Sequence, residues 1–240
     1  MDQDLNGRVV VITGAAGGIG TAMAEAFASV GARLALVDIV DPSKLAARLG
    51  PDHAAWSCDL ANPAEIARVV AEIGDRMGID VLINNAGLGI VFPAEVTRIE
   101  DWDRTQAINL RAPWLMAAAA LPYLKASGRG RVVNIASQAG IIAIAEHAAY
   151  GASKAGLIGL TKVLALEWAR FGITVNAISP TVVETPMALV GWSGEKGERA
   201  KAAIPVGRFA KPSEIAHAAV YLASAGAGIV TGENLVMDGG

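Results

Sequence analysis

Six short runs rich in Val, Ile, Leu and Ala recur along the chain, at residues 9–13, 33–37, 81–84, 131–136, 173–178 and 229–237. Each is close to continuously apolar, as a strand buried on both faces must be. Between them lie Ala-rich stretches with helical spacing, at residues 20–30, 63–76, 102–127, 150–171 and 212–223. Strand and helix therefore alternate throughout, which requires a mostly parallel sheet, helices on both of its faces and right-handed crossovers. This is the doubly wound class of α/β fold. No repeat, low-complexity segment or Pro/Gly/Ser linker divides the chain, so residues 1–240 are expected to form one domain. One stretch breaks the rhythm. Residues 181–205 are polar, contain glycine and follow a strand, and a substrate lid is expected there because ligands of such sheets bind beyond the C-terminal strand ends.

Composition narrows the partner. The residues are 53% hydrophobic and 18% charged, which supplies a large core and excludes intrinsic disorder. Twenty basic and 23 acidic residues, spread along the sequence, give a net charge of −3 and no footprint for nucleic acid or an anionic membrane. A small-molecule ligand is expected instead. The single cysteine, Cys58, excludes an intrachain disulfide framework and a multi-cysteine metal centre, so no metal is expected and a reducing cytoplasm fits. Residues 1–8 lack the positive and apolar regions of a secretory signal. The longest apolar runs, such as residues 112–121, fall short of the roughly 18 residues that a membrane span needs.

The sequence Thr13-Gly14-Ala15-Ala16-Gly17-Gly18-Ile19-Gly20 follows the first strand directly and opens the first helix. Glycines there let backbone N–H groups and a helix N-terminus approach a pyrophosphate. Any tight βα connection also favours glycine. Asp38 strengthens the nucleotide reading, because it closes the second strand about twenty residues on, where a carboxylate can accept hydrogen bonds from both adenosine ribose hydroxyls. Ile39 and Val40 follow it and no Arg or Lys stands beside it, so a 2′-phosphate is disfavoured and NAD is expected rather than NADP. The alternative for Asp38 is a turn or helix-cap role.

Tyr150-Gly151-Ala152-Ser153-Lys154 places a phenol and an ammonium four residues apart near a helix start, on one face about one turn apart. A neighbouring Lys favours phenolate, so a lowered Tyr150 pKa and acid/base use are expected. Ser137, at the end of the fourth run, can hold a reacting oxygen; a serine there also forms turns. Asn109 lies in a long apolar helix, where its amide must bond backbone or water, and a water relay is expected.

Together these marks resemble the short-chain dehydrogenase/reductase family of about 250 residues, over essentially the whole chain. The further matching motifs are Cys58-Asp59-Leu60 and Asn84-Asn85-Ala86-Gly87. The resemblance implies a Rossmann-type fold with a seven-stranded sheet, and a proton-relay tetrad of Asn109, Ser137, Tyr150 and Lys154. It also implies cofactor contacts from Gly14, Gly18, Ile19, Gly20, Asp38, Asp59 and Leu60, from Asn85, Ala86 and Gly87, from Tyr150 and Lys154, and from Pro180, Val183 and Thr185. Asp59 would touch adenine and Lys154 the nicotinamide ribose. A homotetramer built through residues 102–127 and 150–171 is implied as well. Relatives continue for several residues past the position of Asp238-Gly239-Gly240, so a C-terminal contribution to a neighbouring subunit is not expected.

The sequence departs from the family at Ser179-Pro180-Thr181, where most relatives have Pro-Gly before the lid. Pro180-Thr181-Val182-Val183 with Thr185 is similar to the polyol and sugar-ketose branch, the dicarbonyl/L-xylulose reductases and the threitol-oxidising or erythrulose-reducing enzymes. Gln138, His147 and Trp192 agree, since two polar side chains and an apolar wall suit a short polyhydroxylated chain; Ser137 and Tyr150 would also touch it. Loop ordering by His147 and lid capping by Trp192 are the alternatives. The dicarbonyl/L-xylulose reductases use NADP, whereas Asp38 points to NAD and to net oxidation of an alcohol. A 3-oxoacyl or hydroxysteroid-type reductase and a catalytically silent NAD-binding regulator are the competing functions; the polar lid argues against the first and the intact tetrad against the second.

Overall fold

A computed structural model describes residues 5–240, apart from the side chains of Met187 and Val190. Residues 1–4, part of the N-terminal segment read above for a secretory signal, lie outside the described residues.

Seven parallel strands form one sheet in the order β3-β2-β1-β4-β5-β6-β7. They are β1 (Val9–Thr13), β2 (Arg33–Asp38), β3 (Ala54–Ser57), β4 (Val81–Asn84), β5 (Arg131–Ile135), β6 (Thr174–Pro180) and β7 (Asn234–Met237). The side-chain period of two divides each buried strand between two cores. Val10 and Ile12 face one side with Met23 and Phe27 of α1 (Gly18–Ser29) and Ile215 and Ala219 of α9 (Pro212–Ala223). Val11 and Val37 face the other, with Ile66 and Ile73 of α3 (Pro63–Met77), Met116 and Leu124 of α5 (Ala112–Ser127), and Trp168 of α6 (Ala148–Trp168). Burial on both faces explains why β1 and β4 are apolar at every position but the last.

Local chemistry sets the helix starts. Asn62 caps α3 by accepting from Ala64 N (3.0 Å), with Pro63 at the first helical position, and Glu214 accepts from Lys211 N (2.8 Å) at the head of α9. Such caps contribute about 1 kcal/mol each.

The structure corrects several boundaries. β3 was not among the six runs; it is a four-residue edge strand whose side chains are only partly buried, so it lacks the continuous apolar signature. α2 (Ser43–Leu49), which leads into it, is a helix of only seven residues. The stretch 102–127 is three consecutive helical segments, α4 (Ile99–Gln106), a π turn at Ala107–Arg111 and α5. The run 229–237 is strand only at Asn234–Met237, and the fifth run shifts to Thr174–Pro180. Within 181–205 the polar sequence forms two helices, α7 (Pro186–Gly191) and α8 (Gly194–Ala203).

β2 and β3 lie on one side of β1, whereas β4 to β7 lie on the other. The chain therefore reverses its direction of sheet growth between β1 and β4, and the crevice beyond their C-terminal ends is where a ligand of such a sheet sits.

Candidate active site

Two loops line that crevice and are tied together. Thr13 Oγ1 accepts from Asn85 N (3.0 Å) and Ala86 N (3.1 Å), while Asn85 Nδ2 donates to Thr13 O (2.9 Å) and Gly14 O (3.1 Å). Gly14 has φ +66°, and a Cβ on it would lie 2.8 Å from Ala86 Cα. A side chain there is excluded by both conformation and space. Gly20 packs so closely on Gly14 O that a Cβ would collide with it. The N-cap of α1 is Gly17, which offers no side-chain cap, and no acidic residue stands in the first turn. The helix thus presents uncapped N–H groups and a positive dipole end to the crevice, a fit for a pyrophosphate.

Asp38 makes two local backbone contacts. Its Oδ1 accepts from Val40 N (3.0 Å), a turn role, and its Oδ2 accepts from Ala16 N (2.9 Å), which ties it to the glycine loop. Cys58 N donates to Asp38 O (2.9 Å), bringing Asp59 beside it; Asp59 Oδ1 accepts from Ala61 N (2.9 Å), and Leu60 is buried. The adenosine end therefore has carboxylates and an apolar residue grouped past β2 and β3. These residues suit the neutral hydroxyls of a ribose.

The tetrad residues converge from three elements: Asn109 from the π turn, Ser137 from the end of β5, and Tyr150 and Lys154 from α6. The π turn holds Asn109, fully buried, whose Oδ1 accepts from Leu88 N (2.8 Å) and whose Nδ2 donates to Leu88 O (2.9 Å) and Ser153 Oγ (3.1 Å). Its amide is thus satisfied by the loop after β4 and by α6. These three bonds commit the side-chain amide to protein groups. Ser153, buried beside Lys154, passes the link on by donating to Tyr150 O (2.7 Å). Neither Leu88 nor Ser153 was read from sequence, although Ser153 lies within the Tyr150–Lys154 stretch.

Ser137 follows β5 and caps a short helix at Gln138–Gly140, accepting from Ala139 N (3.1 Å), and its hydroxyl is the group that lowers the Tyr150 phenol. Lys154 is 3% exposed, donates to Ile135 O (2.7 Å), and stands 5.7 Å from the centre of the Tyr150 ring. Gly87 faces both Asn109 Oδ1 and Lys154 Nζ, at 3.4 and 3.5 Å from its Cβ position. Among the described residues no carboxylate pairs with this buried ammonium, and burial pushes it down to about 8. The sequence expectation for Tyr150 is reversed in this geometry. Burial raises the phenol above its ordinary value, outweighing the Ser137 hydrogen bond that lowers it.

The substrate side is less uniform. His147 precedes α6 with its ring edge-on to Tyr150, centroids 5.9 Å apart, and its Nδ1 lies 2.6 Å from Ala145 O. A ring nitrogen facing a carbonyl carries the proton, so the neutral imidazole presents Nε2 as an acceptor. The preceding Glu146 takes φ +68°, unusual for a side-chain-bearing residue. Trp192 packs edge-on against buried Phe209 (centroids 6.4 Å), with Lys196 Nζ 5.0 Å from its ring centre. This is the lid-capping alternative in structural form. Thr185 caps α7 by accepting from Ala188 N (3.2 Å) and touches Gly18, whose Cβ would lie 2.9 Å from Thr185 Cγ2. Pro180 pairs with Met237 at the end of β6, and Val183 is buried with a bridge to Ala210. The stretch after β6 is therefore seated directly on the phosphate loop.

A glycine loop at the switch point of a parallel sheet, joined to a Ser–Tyr–Lys cluster, defines a dinucleotide-dependent oxidoreductase. Residues 14–240 match the family described as Enoyl-(Acyl carrier protein) reductase. The D-threitol dehydrogenase of Mycolicibacterium smegmatis is 46% identical over 100% of this chain and 94% of its own length. The NAD-dependent glycerol dehydrogenase of Listeria innocua is 46% identical over 100% and 96%. The crystal structure of levodione reductase superposes with a TM-score of 0.93 at 32% identity, covering 98% of each chain. The chain belongs to the short-chain dehydrogenase/reductase family. No helix among the described residues is long and apolar enough to cross a membrane.

Proposed function

We propose that this protein oxidises a secondary alcohol of a small sugar alcohol to the matching ketose, and catalyses the reverse, with NAD. The observation that carries the reading is the joined Ser137–Tyr150–Lys154 cluster in a chain 46% identical, end to end, to dehydrogenases named for threitol and glycerol. The dinucleotide, when bound in its oxidised form, supplies the hydride acceptor and a positive charge. Gly14, Gly18, Ile19 and Gly20 would hold its pyrophosphate, Asp38 the adenosine ribose, Asp59 and Leu60 the adenine. Asn85, Ala86, Gly87, Pro180, Val183 and Thr185 would line the remainder, and Lys154 the second ribose. Tyr150 takes the substrate hydroxyl proton, Ser137 holds the reacting oxygen, and Lys154 favours the phenolate that burial alone disfavours. His147 Nε2 and Gln138 accept and donate hydrogen bonds to the flanking hydroxyls, and Trp192 closes the lid over residues 181–205 from its seat on Phe209. A single domain over 1–240 and a cytoplasmic location belong to the same reading.

The same proposal includes a homotetramer. Trp114 (49% exposed), Val163 (51%) and Leu166 (82%) leave apolar surface on α5 and α6, beside a groove of about 650 Å³ lined by Gln106, Leu110, Arg111 and Leu160. Light scattering is expected to give a mass of four chains; the mass of one chain contradicts it.

Three further outcomes test the chemistry. Oxidation needs the phenolate and reduction the phenol, so oxidation rates are expected to rise with pH through the Tyr150 titration while reduction rates fall. Tyr150→Phe is expected to bind NADH normally and to lose turnover by about 10² or more. Near-normal turnover in that variant contradicts the mechanism. Asp38→Ala is expected to weaken NAD use and relax the exclusion of NADP, as read by kcat/KM with each cofactor. A preference of the unaltered protein for NADP contradicts the role of Asp38.

A further inference from the structure

The short helix after Ser137 meets the start of α6 more closely than side chains permit. A Cβ on Gly140 would lie 2.7 Å from the Lys154 carbonyl carbon and 2.8 Å from Ala155 N, and one on Gly151 would lie 2.9 Å from Ala139 O. Each glycine faces the backbone of the opposite element, and backbone cannot swing aside as a flexible side chain can. The seam joins the two elements that carry the proposed chemistry. Ser137 is the cap of the Gln138–Gly140 turn, and Gly151 lies between Tyr150 and Lys154 on α6. The 2.7 Å bond from Lys154 Nζ to Ile135 O crosses it, and so does the influence of the Ser137 hydroxyl on Tyr150. About two turns further along α6, Gly159 has open space around its Cβ position, so close approach is local to the catalytic end.

We infer that Gly140 and Gly151 are positioning residues for the reaction, their missing side chains setting the distance at which Ser137 reaches Tyr150 and Lys154 reaches the end of β5. The inference rests on the reading of Tyr150 as the acid/base. A methyl group in the seam must push the turn off the helix by several tenths of an ångström or more, and Ser137 moves with the turn it caps. The groups facing the Tyr150 phenol are Ser137 from the end of β5, Lys154 on α6 and His147 from the lead-in to α6. The Ser137 bond is the one that lowers the phenol, so its loss raises the pH at which phenolate forms.

The test compares Gly140→Ala, Gly151→Ala, Gly159→Ala and Tyr150→Phe in NAD-linked oxidation of D-threitol and glycerol, with NADH affinity measured by fluorescence. Gly140→Ala is expected to lower kcat about 10-fold or more and to move the ascending limb of the kcat/KM profile to higher pH by about half a pH unit or more, with NADH affinity kept within about twofold. Gly151→Ala is expected to act in the same direction, and Gly159→Ala to leave both readouts unchanged. If Gly140→Ala does not fold, Gly151→Ala decides the matter by the same two readouts. An unmoved limb in the folded seam variants, or a kcat loss matched by the loss of folded protein, overturns the inference. Near-normal turnover in Tyr150→Phe overturns the underlying reading instead, so the two failures are distinguishable.

Discussion

The site depends on one seam in the sheet, the parting of the chain between β1 and β4, which is stitched by Thr13 and Asn85. Four hydrogen bonds cross it, and two of them end on a single threonine hydroxyl. They hold the glycine loop against Ala86, and through Gly87 they fix the floor beneath Lys154 and Asn109. Asn109 then returns the tie by clamping both backbone groups of Leu88. The phosphate end and the proton-transfer end are therefore parts of one hydrogen-bonded frame. Each of these hydrogen bonds joins a side chain of one element to the backbone of another, so the two ends are tied together.

Within that frame the energetic outlier is Lys154. A buried ammonium bonded to one carbonyl, with no carboxylate partner among the described residues, is held near its neutralisation point. Burying an unpaired charge opposes folding, and sequences retain such groups where the charge does work. The same burial raises the Tyr150 phenol. Burial thus opposes the charged form of the lysine and of the phenol alike.

Much of this was legible in the sequence. β1 and β4 end where the apolar runs end, because strands buried on both faces admit few polar residues. β3 escaped because Ala54–Ser57 lies at the sheet edge with partly exposed side chains. The π turn left no periodicity of its own, since one extra residue shifts the helical face without interrupting the run of Ala and Leu. Residue types at the site announced the chemistry, but not their partners: Asn109 is polar in an apolar helix for the sake of Leu88 and Ser153, which carry no sequence mark of that role. The direction of the Tyr150 shift was also hidden. A Lys at four residues' spacing suggests a lowered phenol, and only the packing reveals that desolvation is the larger effect.

The most direct measurement is NADH formation across a panel of three-carbon to six-carbon polyols, with NAD and NADP compared side by side and the matching ketoses assayed in reverse. The account predicts turnover of a short polyol with NAD, favoured over NADP in kcat/KM, and reduction of the corresponding ketose by NADH. Activity confined to acyl or steroid substrates, or absence of turnover on every polyol, would contradict it.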